Sequence, residues 1–138
     1  MPTILVDTGI LYAMADMDDA WHESVKAFLD DLKDVLLVPV TVLPEACYLL
    51  NAHLGQESER VLIAAIIQGE FSIEGLRDED CRRSLTLLEI YSDTNIGFVD
   101  ASLVAMAERL KIQRILTTDR KHFSIVRPRH CQAFELLP

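Results

Sequence analysis

Apolar positions along this chain follow two alternating rhythms. Short unbroken runs at Ile4–Val6, Val35–Val40 and Ile115–Leu116, with lesser ones at Phe71–Ile73 and Ala133–Leu137, predict buried strands. Between them, apolar residues recur at helical spacing. A short helix is expected over Ile10–Met17. A second, over Ala20–Lys33, carries Trp21, Val25, Phe28, Leu29 and Leu32 on one face. A third begins near Thr41, expected to cap it, with Pro44 tolerated in the first turn and a stripe of Leu43, Ala46, Cys47, Leu50 and Leu54. Glu57–Gln68 and Asp78–Tyr91 predict two more, the latter with Leu85, Leu87 and Leu88 supplying apolar contacts. The last runs to Leu110 with a stripe of Val99, Leu103, Met106, Ala107 and Leu110. Strands alternating with helices predict an α/β fold with three layers, α/β/α, around a mainly parallel sheet of about four to five strands.

At 138 residues the chain is expected to be one domain, 1–138, long enough to bury a full core. The longest purely apolar run, Val61–Ile67, is too short to span a bilayer. The amino terminus enters the first strand at once, which predicts no signal peptide. Cys47, Cys81 and Cys131 form no CxxC pair and read as reduced thiols of a cytoplasmic protein, not zinc ligands. The net charge of −9 argues against nonspecific nucleic-acid binding. The imbalance is uneven: residues 1–69 carry −8 and residues 70–138 carry −1. Arg120, Lys121, Arg127 and Arg129 make a late basic stretch, read either as a solvated surface or as a phosphate-contacting patch.

Candidate chemistry lies in the acids. Asp7 directly follows the first strand, Glu45 sits just past the second, Asp100 stands where the last long helix begins, and Asp119 ends the Ile115–Leu116 strand region. Taken singly, each has an ordinary structural role as an N-cap, a first-turn acid or a turn former. In one parallel sheet, however, strand ends and helix starts converge on one rim. Four carboxylates there repel and raise one another's pKa unless a cation neutralises them. Oxygen donors without histidine or cysteine suit a hard ion, Mg²⁺ or Mn²⁺, and such an ion suits phosphodiester hydrolysis. Thr8, Thr118 and Ser102 are candidates to hydrogen-bond the carboxylates, or plain caps and turn hydroxyls. Asp93 is assigned to a loop or cap ahead of the alternative of a fifth ligand. His122 is left outside the site as a surface or packing residue.

The same residues resemble a known family, the PIN-domain ribonucleases. The likeness rests on V-D-T-G at Val6–Gly9, P-E-A at Pro44–Ala46, V-D-A-S-L-V-A at Val99–Ala105 and T-T-D at Thr117–Asp119, in that order across nearly the whole chain. The resemblance implies a single PIN domain and a metal-dependent endoribonuclease. In it Asp7, Glu45, Asp100 and Asp119 are the catalytic residues and hold Mg²⁺ or Mn²⁺, with RNA as substrate. The compact length is similar to the VapC-type toxin branch of toxin–antitoxin pairs, which implies a homodimer silenced by a small antitoxin.

Three rival site types lack their residues. A phospho-accepting receiver needs paired acids after the first strand, an acceptor aspartate after the third and a late lysine, and Phe71–Leu76 offers no aspartate. A haloacid-dehalogenase phosphatase needs a second aspartate where Gly9 stands. A serine hydrolase needs a G-x-S-x-G elbow, which is absent. The remaining alternative is a PIN fold that binds protein or RNA without turnover.

Overall fold

The computed structural model describes residues 2–138. In chain order the elements are β1 (Thr3–Val6), α1 (Thr8–Ala15), α2 (His22–Asp30), β2 (Val35–Pro39), α3 (Val42–Leu54), α4 (Gln56–Ile67) and β3 (Ser72–Glu74). There follow α5 (Asp78–Ile90), a 3₁₀ turn at Ser92–Thr94, α6 (Phe98–Leu110), β4 (Arg114–Leu116), α7 (Arg120–Ile125) and β5 (Glu135–Leu137). The five strands form one sheet in the order β3-β2-β1-β4-β5, and every neighbouring pair is parallel. Leu5 is paired on both sides, with Leu37 of β2 and Ile115 of β4, so β1 is the central strand.

That order decides where a site can form. From β1 the chain steps outward through β2 to β3, then returns across the sheet to β4 and continues the other way to β5. Right-handed crossovers therefore place α1–α4 on one face and α5–α7 on the other. The direction of winding reverses between β1 and β4, and a crevice opens at the carboxyl ends of those two strands.

The core explains the elements. Ile4, Leu5, Val6, Val38, Ile115 and Leu116 are buried in the sheet, with Ile10, Ala13, Val42, Ala46 and Leu50 from the first face packed on them. On the second face α6 is enclosed rather than amphipathic. Ala101 to Ala107 are all buried, because the helix lies between the sheet and α5. Leu103, Met106 and Ala107 of the expected stripe thus lie in a segment buried on every side, while Val99 and Leu110 are partly buried at its ends. Gly55, at φ 98°, ends α3 and lets the chain reverse directly into α4.

Several local expectations need correction. Helix α1 starts two residues early because Asp7 caps it. Helix α2 is shorter than its apolar pattern, since Asp16 and Asp19 accept hydrogen bonds from the backbone N–H groups of Asp18 and Trp21 and hold a turn ahead of it. Thr41 does not cap α3 with its side chain. Its hydroxyl pairs instead with that of Ser102, at 2.6 Å, and joins α3 to α6. Leu85 is 61% exposed, leaving Leu87 and Leu88 to make the contacts of α5. Cys47, Cys81 and Cys131 are free thiols, and no helix among the described residues is long and apolar enough to cross a membrane.

The pair α5 and α6 is pinned by charge as well as by packing. Asp80, 1% exposed, accepts from the Arg109 guanidinium at 2.9 and 3.0 Å, and Glu74 of β3 lies 3.1 Å from the same group. Arg83 and Glu108 make a second two-pronged pair at 2.7 and 3.0 Å. Removing only the cation leaves a buried carboxylate uncompensated, which costs about 3–5 kcal/mol. Arg109→Met is expected to lower the unfolding free energy measured by urea melts by that amount, and Asp80→Asn combined with Arg109→Met is expected to recover part of it.

Candidate active site

The site is built outward from Asp7. Its backbone N–H donates to the Leu116 carbonyl at 3.0 Å, so it still belongs to the β1–β4 ladder, while its extended backbone and side chain make it the N-cap of α1. One carboxylate oxygen accepts from the Thr8 N–H at 2.8 Å and the other from the Thr117 hydroxyl at 2.8 Å. That hydroxyl also accepts the Asp119 N–H at 2.9 Å. A single buried threonine therefore fixes one aspartate and places the backbone of the next.

Glu45, exposed in the first turn of α3, accepts from the Thr8 hydroxyl at 2.5 Å. Asp100 is half-buried in the first turn of α6, facing the same crevice from the other layer. Asp119 caps α7: one oxygen accepts the His122 N–H at 3.0 Å, and the other lies 2.6 Å from His122 Nδ1. The remaining ring nitrogen of His122 meets the Thr94 carbonyl at 3.0 Å. One donor atom each from Asp100, Asp119 and His122 fall within 4.8 Å of one another. Asp7 and Glu45 lie outside that tight group but act on it through their charges.

Gly9 completes the geometry. A Cβ at that position would meet the Thr118 hydroxyl at 2.2 Å, so the first turn of α1 and the end of β4 approach with only a hydrogen between them.

Burial first, then the charges of Asp100 and Asp119, push the Asp7 carboxyl up to about 6, against the opposing hydrogen bonds of Thr117 and Thr8. Asp100 is raised by burial, then by Asp119, with Glu45 adding to it and the Gly97 backbone and His122 opposing. His122 is raised chiefly by its hydrogen bond to Asp119. A mutually repelling set of carboxylates gathered around the buried Asp7 is the donor chemistry a hard divalent cation satisfies.

Other expected participants are placed elsewhere. Asp93 is exposed in the 3₁₀ turn, outside the acidic group. Thr118 and Ser102 touch none of the four carboxylates: Thr118 packs on Gly9, and Ser102 bonds Val99 and Thr41. The supporting hydroxyls are those of Thr8 and Thr117. His122 belongs to the site after all. Its signal in the sequence was its position three residues beyond Asp119, which returns a side chain to its own cap once a helix starts there.

The basic stretch divides. Arg120 and Lys121 open α7 beside Asp119, with the Arg120 guanidinium 5.6 Å from the Trp21 ring and donating to the carbonyls of Leu136 and Pro138. The backbone of Arg129 instead donates to Glu108, at 2.9 Å. That lies eight residues along α6 from Asp100, a separation of about 12 Å.

Comparison with known proteins places this geometry in a family. The PIN domain family model matches residues 4–127. Ribonuclease VapC26 of Mycobacterium tuberculosis is 29% identical over 135 residues, which cover 98% of this chain and 100% of that protein. The crystal structure of Mycobacterium tuberculosis VapC20, a Sarcin-Ricin loop cleaving toxin, superposes with a TM-score of 0.78 at 25% identity, over 86% of this chain and 91% of the other. A toxin-antitoxin complex from Klebsiella pneumoniae contributes a chain with a TM-score of 0.66 at 18% identity, covering 89% of this chain and 92% of that one.

The Asp7 carboxyl binds its proton more tightly in the fold, rising from 3.8 to about 6. Its favourable contribution to stability is therefore full below pH 4 and is lost as pH rises through about 6, an interval worth at most about 3 kcal/mol. In chelating buffer, Asp7→Asn is expected to gain on the wild type between pH 4 and pH 7 by up to that amount. Paired urea melts across this range measure the gap, and a constant gap would show that Asp7 ionises freely.

Proposed function

We propose, for a chain that belongs to the PIN domain family and is an endoribonuclease of the VapC toxin type, that Asp7, Glu45, Asp100 and Asp119 hold the Mg²⁺ or Mn²⁺ ion with which it hydrolyses RNA. The observation that carries this reading is the convergence of these carboxylates on the β1–β4 crevice, where Thr8 links Asp7 to Glu45, Thr117 links Asp7 to the Asp119 backbone, and Asp100 and Asp119 present oxygens within 4.8 Å of each other. A bound divalent ion supplies polarisation of the phosphodiester, a water of lowered pKa and stabilisation of the leaving oxygen.

The chain's own residues prepare the place for that chemistry. Thr8 N–H and the Thr117 hydroxyl each take one lone pair of Asp7, and the Thr8 hydroxyl takes one of Glu45. A carboxylate oxygen keeps further acceptor capacity after one hydrogen bond, so these contacts orient the ligands without using them up. Arg120 and Lys121 stand where an RNA phosphate beside Asp119 meets positive charge, whereas Arg129 lies away from it.

A partner follows from the same reading. A small antitoxin, as in the toxin-antitoxin complex from Klebsiella pneumoniae, fits the apolar groove of about 460 Å³ lined by Met14, Leu29, Val61 and Ala65. Met17, 80% exposed, extends the apolar surface beside it. With Glu70 on its wall and −8 on residues 1–69, the groove suits an apolar segment with basic flanks. A homodimer is the assembly expected for this type of toxin.

The test is cleavage of a mixed pool of single-stranded and structured RNA by purified protein, with Mg²⁺, with Mn²⁺ and with EDTA. Cleavage is expected only with metal, and Asp7→Asn or Asp100→Asn is expected to lower it by about 100-fold or more while the fold persists. Full activity in either variant would remove that residue from the site. Metal binding and antitoxin binding without cleavage of any RNA would select the non-enzymatic reading.

Charge in the basic stretch is expected to matter unequally. Replacing Arg120 and Lys121 by Gln is expected to reduce the slope of RNA affinity against salt by about 1.4, and Arg129→Gln to leave it unchanged. Equal effects would place RNA on both ends of α6.

A further inference from the structure

Both oxygens of Asp119 are engaged by a single residue. The backbone N–H of His122 donates to one at 3.0 Å, and ring Nδ1 lies 2.6 Å from the other. The opposite ring nitrogen, Nε2, points to the Thr94 carbonyl at 3.0 Å. Thr94 is itself fixed, with its N–H and hydroxyl both donating to the Tyr91 carbonyl at 3.0 and 2.7 Å. The Tyr91 hydroxyl accepts the Arg127 N–H at 2.9 Å, so the segment after α7 closes back on the same turn. Beyond Thr94 the chain passes Asn95, in the left-handed region at φ 62°, and within a few residues enters α6 and reaches Asp100.

His122 therefore spans two separately built parts of the rim: α7 with Asp119, and the turn that leads into α6 with Asp100. Its ring lies close enough to those carboxylates to be taken for a metal ligand. The contacts exclude that role as the ring stands. Both ring nitrogens already face oxygen atoms, Nδ1 toward Asp119 and Nε2 toward Thr94, so neither is turned to a metal. We propose that His122 is a positioning residue, which sets the Asp119 carboxylate against Asp100 and ties both to the Ser92–Thr94 turn. This rests on the reading of Asp119 as a metal-holding residue, and it assigns to His122 a role that capping of a short helix does not require: the backbone N–H alone provides the cap.

The test compares His122→Ala, His122→Asn and His122→Gln with Asp119→Asn in the full chain. Mn²⁺ affinity is read by electron paramagnetic resonance titration, melting is followed in EDTA, and kcat and KM are measured on an RNA that the wild type cleaves. Asn keeps an amide donor near Nδ1, toward Asp119, and Gln keeps one near Nε2, toward Thr94. His122→Ala is expected to weaken Mn²⁺ binding about 10-fold or more, and to lower kcat with KM little changed. His122→Asn is expected to recover most of both losses, and His122→Gln little. Wild-type Mn²⁺ affinity and kcat in His122→Ala, with binding lost in Asp119→Asn, would overturn the positioning role and leave the site intact. Tighter Mn²⁺ binding in His122→Ala would also overturn it, by showing that the ring competes with the ion. Wild-type binding in Asp119→Asn would instead overturn the reading of the site. Should His122→Ala be too unstable to titrate, the Asn and Gln variants decide, and equal behaviour of the two rejects the proposal.

Discussion

A carboxylate must be kept at the end of the central strand of a buried sheet, and the architecture around it answers that constraint. Asp7 is 6% exposed, follows three fully buried residues and has other acids as its charged neighbours. Left alone, such a group gives up its charge. The structure retains it by aiming donors at it: the first N–H of a helix from one side and the hydroxyl of Thr117 from the other. The reversal of winding between β1 and β4 makes this possible, because it leaves space at the two strand ends that a continuous crossover would fill. Helices from opposite faces then bring in Glu45 and Asp100. The proposed cation site and the raised pKa of Asp7 share that one origin.

Much of this was legible in the sequence, for reasons that differ from residue to residue. The strands were readable because runs such as Ile4–Val6 and Val35–Val40 are apolar without interruption, as strands buried on both faces must be. The strand-end or helix-start positions of the four acids were readable before any contact was known, because Asp7 and Asp119 follow the apolar runs Ile4–Val6 and Ile115–Leu116 and Glu45 and Asp100 stand where helical patterns begin. The strand order was not readable, since periodicity says nothing of which strands lie side by side. Only the order shows that Asp7 and Asp119 occupy adjacent strand ends.

The errors have equally local causes. Thr117 and Thr118 are neighbours of the same type, and which hydroxyl faces Asp7 depends on side-chain alternation at the end of a three-residue strand. The spacing of His122, three residues beyond Asp119, becomes a signal only once α7 is known to start at Arg120. Thr41 has the residue type of a cap, but its helical backbone turns the hydroxyl to Ser102. Leu85 fits the apolar pattern of α5 yet points to solvent, since α6 already fills the space beside Leu87. The four bases between Arg120 and Arg129 are close in sequence, but the chain between them leaves the rim. Sequence proximity overstated their unity.

Gly9 shows what kind of information a short motif can hold. The aspartate and threonine before it contribute oxygen and nitrogen atoms, but the glycine contributes a gap, filled by the hydroxyl of Thr118 from the bend after β4, more than a hundred positions along the chain. Any side chain at position 9 evicts that hydroxyl, and Thr118 is β-branched with few ways to turn aside. The glycine of the motif is thus a tolerance in the engineering sense. It specifies how closely two independently folded parts must fit for the chemistry of its aspartate to be assembled.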